Sequence, residues 1–203
     1  KDIREKVLSK PEQGLPWCLS TLTKLTYGRR PGQVIGFGAG TGVGKTTLFT
    51  QQMHFDLTEL NEPVAAFLFE QDTGETGKRL AGLHAGKDFT IDNGTWTEDD
   101  LLTAWNEVEG NKLYLYDHFG SSDWDAVKDT IRFLAHSAGV RLFYIDHLTA
   151  LAAAADTSEK DALEAILSEC SGLAQELGVV IHFVSHLSTP EGKPHEEGGR
   201  VMI

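Results

Sequence analysis

The sequence predicts an α/β fold, a mostly parallel sheet flanked by helices. Three observations carry this reading: short apolar runs recur along the chain, longer amphipathic stretches separate them, and the first run leads into a glycine-rich turn that opens a helix. Neighbouring parallel strands need a crossover of a dozen or more residues, usually a helix, and this alternation supplies it. A length of 203 residues suits one large domain, and 40% apolar with 24% charged residues is ordinary for a globular core.

Taken in order, residues 1–16 are polar, with a short helical stretch broken by Pro11 and Gly14, and read as a linker or docking arm. The core is expected over 17–203. Trp17 to Arg30 mixes apolar and turn residues and runs into the turn Pro31-Gly32. Val34 to Phe37 is a buried strand, and a helix is expected from Lys45 to about Leu60. Val64 to Phe69 forms a second apolar run, bounded by Pro63 and Glu70. The next stretch, with Gly74, Gly77, Gly82, Gly86 and Gly94, specifies nothing strongly. Helices are then expected over Glu98 to Val108, Trp124 to Ala138 and Ser158 to Leu177, the last stopped by Gly178. Strands are expected at Lys112 to Tyr116, Arg141 to Ile145 and Val179 to Val184. The chain reaches Ile203 after a glycine-rich charged segment with no closing helix or strand, so the domain is expected to lack its C-terminal part.

Composition narrows the function classes. No run of 18 apolar residues occurs, so no membrane helix is expected, and the charged start Lys1-Asp2-Ile3-Arg4-Glu5-Lys6 is unlike a signal peptide. Cys18 and Cys170 lie far apart and match no metal spacing, which suits a reducing, cytosolic setting with both thiols as packing residues. The formal charge of −12 means that any nucleic-acid contact must be carried locally by a few loops.

Ala39-Gly40-Thr41-Gly42-Val43-Gly44-Lys45-Thr46, followed by Thr47, fits a phosphate-binding loop, with Ala39 in place of the first glycine. Glycines let backbone N–H groups turn inward around a phosphate chain, and the helix that follows aims its positive N-terminus there. Lys45 is placed to bridge β- and γ-phosphates, and the Thr46 hydroxyl to ligate Mg²⁺. A second magnesium-side acid is expected at a strand end, and Asp146 after Arg141-Leu142-Phe143-Tyr144-Ile145 meets that need. Hydrolysis also needs a group to orient or deprotonate water. His147, not a carboxylate, follows Asp146, so Glu70 at the end of the second apolar run is the candidate. His186 ends the fifth strand, where ligands of a parallel sheet gather, and could touch a γ-phosphate. His182, inside that strand, reads as a hydrogen-bonded core or face residue.

The order of phosphate loop, strand-end Glu70, Asp146-His147 and His186-Leu187 resembles the RecA-like motor of DnaB-type replicative helicases, and most closely the helicase half of phage helicase–primases. Leu15-Pro16-Trp17, Leu22, Leu25 and Gly28-Arg29-Arg30-Pro31-Gly32 resemble the segment that precedes the loop in that family. Thr189 to Gly198 is similar to the phage enzymes' DNA-facing loop. The resemblance implies a RecA-like P-loop NTPase core that uses ATP, dTTP or another NTP with Mg²⁺. It gives Lys45 and Thr46 to phosphate and Mg²⁺, Asp146 to the metal-side acid, Glu70 to the base and His186 to a γ-phosphate sensor. It also implies a hexameric ring that moves on single-stranded DNA through channel loops, here about Leu187 to Arg200 with Lys193 and Arg200 as cations. A primase module or other replication proteins are the implied partners, in the cytoplasm of a bacterial or phage-infected cell. Two departures stand out: the family's trans-acting arginine lies C-terminal to this chain, and the N-terminal module is missing. The alternative is a RecA-like recombinase or regulatory ATPase without unwinding activity, though residues 1–16 carry no apolar polymerisation anchor. A small-molecule kinase would want an acid or arginine lid, and none stands out.

Overall fold

The computed structural model describes residues 3–39, 42–110, 112–117, 123–153 and 157–186. Its strands are β1 (Val34–Ala39), β2 (Val64–Leu68), β3 (Leu113–Asp117), β4 (Leu142–Asp146) and β5 (Val180–His186). The five apolar runs pair side by side, all parallel, in the order β1-β5-β4-β2-β3. Helices α1 (Ile3–Leu8) and α2 (Ser20–Thr26) precede the sheet, and α3 (Lys45–Thr58), α4 (Thr73–Ala85), α5 (Glu98–Glu109), α6 (Trp124–Ser137), α7 (Leu148–Ala153) and α8 (Glu159–Leu177) cross between strands.

Strand side chains alternate between faces, so a sheet buried on both sides makes two cores. On one face Val64, Ala66 and Leu68 of β2 and Leu142 and Tyr144 of β4 pack with Phe49, Met53 and Leu57 of α3 and Leu80 of α4. On the other, Ala65, Phe67, Phe143 and Ile145 pack with Ile131 of α6 and Ile166, Cys170 and Leu173 of α8. Every residue of β2 and β4 is buried, which explains why both read as unbroken apolar runs.

Local chemistry sets the helix ends. Asp72, Asp123 and Ser158 accept hydrogen bonds from first-turn N–H groups of α4, α6 and α8. Thr97 and Asp100 form a reciprocal capping box on α5. The left-handed Gly178 stops α8, as expected. The unassigned glycine-rich stretch is largely α4, and one of its glycines has a packing cause. A Cβ on Gly77 would lie 3.1 Å from the Trp105 ring, so glycine lets α4 approach α5 closely. The short helices α2 and α7 carry too few residues for a helical period to stand out in the sequence.

Beneath the α3 face lies a buried polar cluster. Arg29, fully buried, donates to both carboxylate oxygens of Asp56 on α3, at 2.7 and 2.5 Å. Its second terminal nitrogen also donates to the Pro16 carbonyl at 2.6 Å. The Tyr144 hydroxyl of β4 donates to Asp56 at 2.5 Å, and Gln52 of α3 donates to the other oxygen at 3.0 Å. His182 of β5 stacks on Tyr144 with ring centroids 4.3 Å apart and lies 3.4 Å from Arg29. Burial, helped by the Arg29 charge, pushes the His182 imidazole down to about 3, so it is neutral; its Nδ1 lies 3.1 Å from the Phe143 carbonyl. Burial also resists the Arg29 charge, but the hydrogen bonds to Asp56 outweigh it with help from Tyr144 and hold the guanidinium protonated. Trp17 closes the cluster, with the guanidinium carbon 5.2 Å from its ring centroid.

A buried ion pair stabilises little relative to apolar residues, but removing one partner strands the other charge. Asp56→Ala is therefore expected to cost about 3–5 kcal/mol in urea unfolding. The double variant Arg29→Met, Asp56→Leu should recover part of that loss, because no uncompensated charge remains. Equal losses in the two proteins would show that the charge pair is not what the cluster depends on.

Candidate functional site

The parallel register brings the carboxyl ends of the strands to one edge. Ala39 pairs with His186 across β1 and β5, and Leu68 with Asp146 across β2 and β4. The groups singled out in the sequence leave from these ends.

Between β1 and α3 the described part of the loop turns through left-handed backbone, with φ of 80° at Gly42 and 88° at Gly44. A Cβ at either position would meet nothing within 4 Å. Glycine is thus required by the backbone conformation and not by crowding. Gly44 is the N-cap of α3 and offers no side-chain cap. The first-turn N–H groups of α3 therefore lack the side-chain acceptor that caps α4, α5, α6 and α8, and with the helix dipole they favour an anion. Val43 is half-exposed, Lys45 and Thr46 are partly buried, and Thr47 is exposed on the cleft it lines with Lys78 and Arg79 of α4. Gly40 and Thr41 lie outside the described residues.

Asp146 is almost fully buried at the end of β4, and the Thr46 hydroxyl lies 3.4 Å from its Oδ2. Two residues from far apart in the chain thus offer neighbouring oxygens at the foot of α3. An all-oxygen pair suits Mg²⁺, which takes one or two protein carboxylates and fills its remaining positions with phosphate and water. Among the described residues no group of three or more His, Cys, Asp or Glu side chains could hold a metal, so a closed all-protein cage is not present there.

The Phe69 N–H donates to the Asp146 carbonyl at 2.7 Å, tying the turn after β2 to the end of β4. Glu70 follows that tie, its side chain about half exposed. His147 Nε2 stands 3.3 Å from Glu70 Oε1. The structure thus brings Thr46, Asp146 and Glu70 to one edge and adds His147, which the sequence reading weighed only as a missing carboxylate. Its position directly after a strand-end acid was the available signal. The backbone of His186 ends β5 opposite Ala39. Lys193 and Arg200 lie outside the described residues. His182 is the hydrogen-bonded core residue expected of it.

Comparison with known proteins adds the following. The family model described as DnaB-like helicase C-terminal domain matches residues 14–196. A DNA helicase/primase of Enterobacteria phage T3 is 27% identical over 210 residues, which cover 99% of this chain and 37% of that protein. The chain therefore spans well under half the length of this relative. Among solved structures, the ATPase domain of G40P superposes with a TM-score of 0.75 at 22% identity, covering 91% of this chain and 68% of that one. A DnaB-like replicative helicase, described with its interactions with primase, gives a TM-score of 0.76 at 23% identity, covering 92% of this chain and 48% of that one. At these identities the two structures speak for the RecA-like fold, the architecture expected from the sequence.

Lys45 is the first residue of α3, partly buried, and belongs to neither core cluster. Lys45→Ala is expected to abolish nucleotide hydrolysis while leaving the thermal unfolding midpoint near that of the unaltered protein. Turnover and unfolding measured on the same preparation check this, and near-normal hydrolysis would remove the phosphate-loop assignment.

Proposed function

From the premise that the chain belongs to the DnaB-like helicase C-terminal domain family, we propose that it is the NTP-driven motor of a replicative DNA helicase. In this reading it binds ATP, dTTP or a related nucleotide with Mg²⁺, and works on single-stranded DNA as a hexameric ring. The observation that carries the catalytic part is the meeting of the Gly44-capped α3, the Thr46–Asp146 pair and Glu70 at one sheet edge.

Ala39 to Thr47 wrap the phosphate chain, with backbone N–H groups and the α3 dipole opposing its charge. The Lys45 ammonium reaches the β- and γ-phosphates, which positions the terminal phosphoryl group for attack. Thr46 and Asp146 hold the magnesium ion, whose chemistry when bound is to neutralise phosphate charge. Glu70 orients water and takes its proton, and such a base contributes about 10²–10⁴-fold. His186 contacts the γ-phosphate and reports its loss to the segment that follows. That segment, about Leu187 to Arg200, is the proposed DNA loop, with Lys193 and Arg200 on DNA phosphates. Residues 1–16 are the proposed linker or docking arm, and 17–203 the motor core. The helicase/primase naming of the phage T3 relative supports a primase module or other replication proteins as partners. The setting proposed is the cytoplasm of a bacterial or phage-infected cell.

A net charge of −12 leaves a single copy poorly suited to DNA. Several loops gathered around one strand turn weak contacts into tight binding through effective concentration. Affinity for a labelled single-stranded oligonucleotide is therefore expected to appear with NTP-promoted assembly and to fall steeply with salt. Lys193→Ala should weaken that binding and spare basal hydrolysis. Fluorescence anisotropy beside size-exclusion chromatography tests both, and strand displacement from a forked duplex tests the motor itself. Tight, nucleotide-independent binding by the monomer would contradict the ring-channel reading.

A further inference from the structure

We propose that His147 is a positioning residue that holds the Glu70 carboxylate in place for water attack, an inference that rests on the reading of Glu70 as the base. The argument begins with the contrast between the two side chains. Glu70 leaves a turn between β2 and α4, with 48% of its side chain exposed. A glutamate so placed has rotamer freedom to lose on being fixed. Its backbone is anchored through the neighbouring Phe69 N–H on Asp146, but that bond does nothing to aim the carboxylate.

His147 is placed to supply that aim. Its side chain is only 12% exposed, and it sits between the end of β4 and the start of α7. The His147 carbonyl accepts from the Ala150 N–H at 3.2 Å, and the next residue, Leu148, is fully buried in the core. The ring is therefore mounted on a fixed segment, immediately after the acid proposed for the metal. Its Nε2 lies 3.3 Å from Glu70 Oε1, and in the proposed arrangement a proton on that nitrogen is turned toward the carboxylate. A neutral ring can make this bond, so the role needs no change of charge.

Stability is a poor explanation for the pair. A histidine–carboxylate contact with one partner half in solvent contributes little to folding. Its location beside the Thr46–Asp146 pair gives it a different consequence, since a reacting group displaced by about 1 Å loses about 10²-fold in rate. Held at Oε1 by His147, Glu70 is positioned to take a proton from water. His147 touches neither nucleotide nor water in this scheme and acts through Glu70.

The test is steady-state hydrolysis by the assembled protein, with single-stranded DNA and Mg²⁺ present, for His147→Ala, His147→Gln, Glu70→Gln and the double variant His147→Ala, Glu70→Gln. His147→Ala is expected to lower kcat about 10- to 100-fold with KM for nucleotide and thermal midpoint nearly unchanged. His147→Gln, which keeps an N–H donor at similar reach, should restore much of the rate. The double variant should be no slower than Glu70→Gln alone, because with no base left there is nothing to aim. Wild-type kcat in His147→Ala, a further loss in the double variant, or a loss in His147→Ala that glutamine does not rescue would each overturn the inference. The base assignment fails separately: Glu70→Gln near the wild-type rate would remove it and this inference together. An inactive Glu70→Gln beside a fully active His147→Ala would leave the base standing and remove His147 alone.

Discussion

The structure hangs on the buried pair of Arg29 and Asp56. One guanidinium joins four parts of the chain: its own segment before β1, the Pro16 carbonyl, α3 through Asp56, and the two central strands through Tyr144 and His182. Three of these elements lead to the sheet edge. The N-terminus of α3 follows the phosphate loop, β4 ends in Asp146, and β5 ends in His186. A buried ion pair is tolerated when hydrogen bonds offset its desolvation, and here Asp56 accepts from Arg29, Tyr144 and Gln52, while Arg29 Nε is left without a partner among the described residues. Full burial also keeps His182 neutral, so no second cation competes with Arg29 for the same carboxylate.

From that anchor the site follows as a matter of register. Strands that run the same way and pair in step must end together, so a loop after β1, an acid ending β4 and an acid beyond β2 meet without any further device. The hydrogen bond from Phe69 to the Asp146 carbonyl extends the pairing past the strands proper. Within that frame the site divides its labour. In the proposed reading the start of α3 faces an anion, Thr46 and Asp146, 3.4 Å apart, hold a cation, and Glu70 stands to the side where water would be.

Much of this was legible in the residues. Gly44-Lys45-Thr46 between an apolar run and a helix, and acids closing two further runs, are local patterns with a local cause. The apolar runs of β2 and β4 were clear because both faces are covered. The rest was hidden for two physical reasons. α4 carries Gly77 where Trp105 of α5 packs against it, and its several glycines left undetermined a helix that tertiary contact and the Asp72 cap support. The Arg29 cluster draws on partners 27, 115 and 153 residues away, and no window of sequence connects them. His147 falls between these cases, since its neighbour Asp146 was read from the strand while its contact with Glu70 needed the β2–β4 pairing.

The central claim is that the start of α3 and the end of β4 form one nucleotide–magnesium site. The most direct measurement is the affinity of a slowly hydrolysed NTP analogue, with and without Mg²⁺, for the unaltered protein, Thr46→Val, Asp146→Asn and the double variant. The account predicts that Mg²⁺ strengthens binding to the unaltered protein, that either substitution removes most of that gain, and that the double variant loses little more. An Mg²⁺-dependent gain that survives in Asp146→Asn at full size would contradict it.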